Sequence, residues 1–318
     1  MNWNTRITEL LSITYPIIQG GLAHLAYSDL AAAVSNAGGL GQITAMSLET
    51  PEDLRKEIHK MKRKTSKPFG VNYAIGNHGR PYEEMVQVSI EEEVPVISVT
   101  GGNPEGVLDM VKDEGMKTLV LVASKRQAEK AEQLGADGVM VVGQEGGGHI
   151  GRADTGTFVL TPEVSDTVNI PVVASGGVSD GRGLMAALAL GAEGVEMGTR
   201  FIATTECVHA HHSYKERIIS AGITDTAVIK RSIGAPARVL MNDWVRKILS
   251  LERERTGYEE LKTYISGGAN KRFIHEGNDQ EGFGWAGQVA GRINRVVSVD
   301  ELFDTIIEES ETIRRRWG

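Results

Sequence analysis

Eight short apolar runs occupy residues 15–19, 40–44, 69–72, 96–99, 118–122, 138–142, 172–174 and 195–197, and longer amphipathic stretches separate them. Strand-length apolar runs alternating with helix-length amphipathic ones define βαβ units, and therefore a parallel sheet. Strands buried on both faces are apolar almost throughout, and Val139-Met-Val-Val142 and Val172-Val-Ala174 comply. Eight strands are enough to close such a sheet into a barrel filled by its own side chains. The expected fold class is thus α/β, a (β/α)8 barrel. Helix starts support the alternation. Thr50-Pro51-Glu52-Asp53 sets an N-cap threonine before an N1 proline, with an acid three residues on. Ser124 opens a second helix that Gly135 ends, and Ser28-Asp29 opens an alanine-rich one able to lie close on the sheet.

Near residue 205 the rhythm changes. Residues 209–221, 237–251 and 258–266 read as helices, and strand-like runs are scarce. Residues 206–286 are therefore expected to form a smaller helical insertion or lid domain, on a barrel made of residues 1–205 and 287–318. Helical periodicity over residues 298–316 predicts a last helix that completes the barrel's outer ring. The 318 residues leave room for such an insertion, because a barrel of this type takes roughly 250.

Composition excludes several classes. A net charge of −8 argues against a nucleic-acid surface, which needs a basic face. The single cysteine, Cys207, offers no disulfide framework, fits a reducing compartment, and reads as inert packing. The first residues lack an apolar signal-peptide core, and no apolar run reaches the ~18 residues of a membrane span. A cytoplasmic location without membrane partners is the corresponding expectation.

Glycines mark where a ligand would sit. Ser175-Gly176-Gly177 follows the seventh run and Gly198-Thr199 the eighth. In (β/α)8 barrels the loops after the last two strands commonly bind phosphate, since free backbone N–H groups point at the anion. Gly143-Gln-Glu-Gly-Gly-Gly-His149 follows the sixth run, at the strand ends where barrel active sites lie. Gly147 and Gly148 would let a planar ligand lie against backbone, and His149 could donate a hydrogen bond or take a proton. The plainer alternative is a flexible turn with a solvated histidine. Gln19-Gly20-Gly21-Leu22-Ala23-His24 follows the first run, and Asn72, both donor and acceptor, ends the third. Asn72 reads equally well as a strand-end cap. His209, His211 and His212 lack a carboxylate at metal-ligand spacing, so no metal is expected. Glu145 and Asp154 show no paired-carboxylate spacing, and their default is structural.

On these residues the chain resembles the nitronate monooxygenase family, formerly the 2-nitropropane dioxygenases. The matching pieces are Pro16-Ile-Ile-Gln-Gly-Gly21, Ala37-Gly-Gly-Leu-Gly41, Pro68-Phe-Gly-Val-Asn72, Gly146-Gly-Gly-His149, Ala174-Ser-Gly-Gly177, Met197-Gly-Thr-Arg-Phe201 and Ala286-Gly-Gln288. The resemblance implies a TIM barrel with FMN at its C-terminal face. Gly21, Leu22 and Ala23 would line the flavin, Asn72 would meet the ring edge, and Gly147 and Gly148 would pack on it. Ser175, Gly176, Gly177, Gly198 and Thr199 would hold the phosphate, and His149 matches the active-site histidine. Three activities share the pattern. They are oxidation of alkyl nitronates by O2 to carbonyl compounds and nitrite, NAD(P)H:quinone reduction, and flavin-dependent enoyl-acyl-carrier-protein reduction. The first is the primary expectation, with a nitronate, a quinone or an enoyl thioester as the small-molecule substrate. Val142 stands where many nitronate-oxidising members carry glutamine, and Leu121 about where the quinone reductases carry lysine. Arg238 and Arg272 are candidate contacts to a nicotinamide cofactor's phosphates. The reading is compatible with a homo-oligomer. Its non-enzyme alternative is a barrel that binds a phosphorylated ligand or a flavin without turnover.

Overall fold

The computed structural model describes residues 3–76, 81–254 and 257–317. Its strands, in chain order, are β1 (Ile17–Gln19), β2 (Gly41–Thr44), β3 (Phe69–Ala74), β4 (Val96–Thr100), β5 (Lys117–Val122), β6 (Gly138–Val142), β7 (Gly148–His149), β8 (Val172–Ser175), β9 (Gly194–Met197), β10 (Thr226–Ile229) and β11 (Ala237–Leu240). All but β7, β10 and β11 form one eight-stranded parallel sheet in the order β1-β9-β8-β6-β5-β4-β3-β2. A parallel bridge from Ile18 to Leu40 joins the two ends of that order. The result is the expected (β/α)8 barrel. β1 starts at Ile17, two residues later than the sequence pattern, since Pro16 has no N–H to give the ladder.

Helices α1 (Arg6–Leu11), α2 (Ser28–Asn36), α3 (Pro51–Lys64), α4 (Glu83–Glu91), α5 (Glu105–Val111), α6 (Lys125–Gln133), α7 (Thr157–Ser165), α8 (Gly181–Ala189) and α9 (Thr199–Ile202) belong to the barrel half of the chain. Thr50 caps α3 as its motif predicts, its hydroxyl oxygen accepting from Asp53 N at 3.1 Å. The alanine face of α2 does lie close on the sheet: a Cβ on Gly41 would overlap the carbonyl of Ala31. Strand side chains alternate. Ile17, Ala174 and Val195 pack outward in a cluster that includes Leu30 and Leu184 of the helices, whereas Ile18, Leu40, Val96, Leu119, Met140 and Val173 fill the interior. Ile7 and Leu11 of α1 join that inner cluster and plug the N-terminal end.

Residues 206–286 carry α10 (His212–Ile219), α11 (Asp243–Arg253), α12 (Tyr258–Leu261) and α13 (Gly267–Ile274). The expected helix over 237–251 is corrected: Ala237–Leu240 is strand β11, buried throughout and antiparallel to β10. The helix begins only after Asn242, whose side-chain oxygen accepts from Val245 N at 2.8 Å. The segment is therefore mixed rather than helical, and its hairpin pairs with β7 from the barrel's own loop. The expected helix at 258–266 is also shorter, because Ser266 caps α13 instead. α14 (Val299–Trp317) packs beside α8 and α2 and completes the outer ring, with Glu309 accepting from Gly181 N at 2.8 Å. Among the described residues no helix is long and apolar enough to cross a membrane.

Candidate functional site

The alternation that buries Ile18 and Leu40 also dictates what lies one layer higher, at the C-terminal mouth. Two residues on from the inner apolar layer stand Gly20, Gln42, Asn72, Ser98, Leu121, Val142, Ser175 and Glu196. The floor of the mouth is thus mostly polar, and it is buried: Gln42 and Ser98 have no exposed surface and Asn72 has 1%. Asn72 Nδ2 donates to Ser98 Oγ at 2.8 Å, and Gln42 Nε2 to the Gln19 carbonyl at 2.8 Å. The side-chain oxygen of Asn72 lies against Gly21, where any Cβ would overlap it. Gly21 and Asn72, far apart in sequence, are brought together here. Leu22 follows in the same turn and reaches within 3.2 Å of where a Cβ on Gly198 would stand, with Ala23 next to it.

The turns after β8 and β9 behave as their glycines predict. Gly176 and Gly177 have φ of +86° and +80°, the left-handed region that only glycine enters without strain. A Cβ on Gly176 would come within 2.8 Å of Gly146 N, so the β6 and β8 loops touch through bare backbone. Among the described residues, none accepts a hydrogen bond from the N–H of Gly176, Gly177, Gly198 or Thr199. Four free amides at adjoining strand ends suit a dianionic phosphate. The Thr199 hydroxyl is partly committed, accepting from Gly287 N at 2.9 Å. Gly147 has the same tightness on its other side, since a Cβ there would stand 2.6 Å from Gly287 N. The Ala286-Gly-Gln288 motif therefore buttresses the glycine loop.

His149 stands at the rim, paired with two residues that the sequence pattern did not single out. Lys230 Nζ lies 2.6 Å from His149 Nε2. An ammonium has only protons to give, so Nε2 accepts and the imidazole proton resides on Nδ1. Desolvation by the surrounding protein, and secondarily the Lys230 charge, lower the His149 pKa to about 4, although the side chain keeps an exposed face. The histidine is neutral near pH 7 and its Nε2 lone pair is occupied. In this arrangement the ring can donate from Nδ1, while Nε2 is engaged with Lys230. Trp285 completes the group, its ring 5.4 Å from His149 and 5.7 Å from Lys230 Nζ. The Tyr214 hydroxyl donates to the Trp285 carbonyl, and Val239 bridges to Trp285. Lys230 has a left-handed backbone, φ +65°, rare for a side-chain-bearing residue. The Glu252 carboxylate imposes it by accepting from Lys230 N and Ser232 N, each at 3.0 Å.

Other candidates fall away from chemistry. Glu145 accepts from Thr157 N at 2.8 Å and anchors the start of α7. Arg238 is buried, donating to the Gln144 carbonyl at 2.9 Å, and Arg272 binds the Glu281 carbonyl beside Trp244. The Arg238 guanidinium is thus turned into the protein, whereas Arg272 is tied down through Nε and remains partly exposed. Asp154 pairs with Arg231. Cys207 is buried, and burial pushes its thiol up to about 12. Among the described residues no three His, Cys, Asp or Glu side chains converge as a metal site.

The fold is a (β/α)8 barrel whose C-terminal mouth carries a polar floor and a group of backbone amides without acceptors among the described residues. The sequence profile of nitronate monooxygenase matches residues 4–78 and 73–309. A probable nitronate monooxygenase of Staphylococcus saprophyticus is 33% identical over 99% of this chain and 100% of its own length. A (3aS,4S,5R,7aS)-5-hydroxy-7a-methyl-1-oxo-octahydro-1H-indene-4-carboxyl-CoA dehydrogenase of Rhodococcus jostii is 34% identical over 96% of this chain and 95% of its own. Among solved structures, FabK from Thermotoga maritima superposes with a TM-score of 0.90 and 42% identity, covering 99% of this chain and 98% of its own. A nitroalkane oxidase from Streptomyces ansochromogenes gives 0.85 and 27%, covering 99% and 100%. The chain belongs to the nitronate monooxygenase family, and it is a flavin-dependent oxidoreductase.

Proposed function

We propose that the chain is an FMN-dependent nitronate monooxygenase that oxidises alkyl nitronates with O2 to carbonyl compounds and nitrite. The observation that carries this reading is the Lys230–His149 pair at the mouth. A nitronate is already an anion, so its oxidation needs a cation and a hydrogen-bond donor rather than a base. Lys230 supplies the charge, and neutral His149 supplies an Nδ1–H on the side of its ring away from Lys230. Bound FMN supplies a ring that accepts and returns electrons. Its phosphate belongs on the amides of Gly176, Gly177, Gly198 and Thr199 with Ser175 beside them. Gly21, Leu22 and Ala23 line one side of the ring, Asn72 meets its edge, and Gly147 and Gly148 let it lie against backbone. Residues 206–286 act as the lid and substrate domain, contributing Lys230 and Trp285.

A second reading is NAD(P)H-driven reduction of an unsaturated thioester. It is favoured by the 42% identity to FabK and by the relative that acts on a carboxyl-CoA. The same donor pair would stabilise a thioester oxygen as it gains charge. Anaerobic mixing separates the two. Bleaching of the yellow protein by propyl-2-nitronate, with none by NADH or NADPH, is expected. Rapid bleaching by the nicotinamide with none by the nitronate would replace the first reading, and enoyl-thioester and quinone acceptors would then identify the reductase.

A further inference from the structure

Lys230 reaches His149 from an unfavourable backbone. It follows β10 and opens the loop that returns the chain to β11. Gly234 is the loop's other left-handed residue, at φ +69° against +65° for Lys230. Glycine enters that region freely, whereas the Cβ of a lysine crowds the following carbonyl. The loop closes on itself through Ala235 N to the Lys230 carbonyl and Gly234 N to the Arg231 carbonyl, each at 3.1 Å. The N–H groups of Lys230 and Ser232 go instead to Glu252. Its two oxygens act separately: Oε2 accepts from Lys230 N at 3.0 Å, and Oε1 accepts from Ser232 N at 3.0 Å and Ser232 Oγ at 2.7 Å. Glu252 lies in the last turn of α11, where an acid opposes the helix dipole and needs such donors. α11 is itself anchored, since Val245 and Ile248 are buried in one cluster with Ile229, the residue before Lys230. Burial lowers the Lys230 pKa, and the Glu252 charge pulls it back up.

We propose that Glu252 is a positioning residue for the reaction, holding the 230–232 turn in the left-handed conformation that sets Lys230 Nζ on His149 Nε2. This inference rests on the role given above to the Lys230–His149 pair. Without the carboxylate the turn relaxes toward an unstrained backbone, the lysine leaves the ring, and the mouth loses its cation. Glutamine is a partial substitute: its side-chain oxygen accepts from one amide, but its NH2 faces the other and it carries no charge.

The test compares the flavin-loaded full chain with Glu252→Ala, Glu252→Gln, Lys230→Met and the double variant Lys230→Met/Glu252→Ala, above neutral pH with propyl-2-nitronate. In Glu252→Ala kcat/KM should fall about tenfold, and in Glu252→Gln by less. The double variant should be no slower than Lys230→Met alone, because no lysine is left to position. Losses that add would overturn the proposal, since general damage to the fold adds. A second arm does not depend on turnover. The His149 ring, followed by NMR as pH falls, should show its pKa raised from about 4 in Glu252→Ala as it is in Lys230→Met. A His149 titration that Glu252→Ala leaves unmoved would overturn the proposal whatever the rates. Full turnover in Lys230→Met, or an unmutated chain inert to the nitronate, would instead sink the functional reading of the pair. The titration would still decide whether Glu252 sets the lysine.

Discussion

His149 is set by its neighbours more than by its own chemistry. Because its pKa lies near 4, turnover should carry no inflection around the ordinary histidine value of 6.5. Lys230→Met removes one depressing charge, so the histidine's pKa should rise. Activity of that variant should then recover as pH drops from roughly 7 to 5, the protonated imidazole replacing the missing cation, in a pH–rate profile that is flat for the unmutated chain. His149→Ala should keep its flavin and lose turnover about a hundredfold or more; steady-state rates at equal flavin content check this. Stability follows the same shifts. His24, like His149, has its pKa lowered to about 4, chiefly by burial and then by Lys271. The unfolded chain binds protons on both residues first as pH falls. Their contribution is therefore full above pH 6.5 and drains away toward pH 4. Urea midpoints measured across that window should decline together with the loss.

Single elements hold the site through caps and glycines. Asn242 is 7% exposed; besides capping α11, it donates from Nδ2 to the Asp279 and Gly282 carbonyls at 2.8 and 2.9 Å. Asn242→Ala should cost about 2 kcal/mol, combining a lost cap with two unsatisfied carbonyls. Thr50→Ala on the exposed start of α3 should cost about 1 kcal/mol; chemical denaturation of both variants tests the contrast. Gly176→Ala forces a Cβ into a left-handed residue and toward Gly146 N. It should weaken FMN binding at least as much as it lowers the melting temperature, as flavin titration would reveal. These positions also mark what could be read from sequence. Alternating apolar runs, glycine pairs after strands and the Thr50-Pro51 cap are local signals, and the barrel and its turns follow from them, whereas Asn72 and Gly21 are set beside one ligand only by the family resemblance. Ala237-Arg-Val-Leu240 misled because four buried residues in a row fit helix or strand alike, and only pairing with β10 and β7 decides. Lys230 and Trp285 stood in no motif; a left-handed lysine and a tertiary ring contact leave no periodic trace.

At the scale of the whole molecule, the two parts of the chain meet through backbone as well as side chains. Ala237 pairs with His149 and Arg238 with Gly148, so the histidine's own strand is the edge of the 206–286 sheet. A cover that swung away would tear that edge or drag the histidine along. Access should therefore be lateral, past the rim, with the β7–β11 seam staying shut. Amide exchange should find the Gly148, His149 and Arg238 protons released as one unit, and no faster when substrate is turning over. His149, the proposed substrate contact, is thus tied by main-chain bonds to the 206–286 sheet, and loosening that seam should disturb the histidine as well.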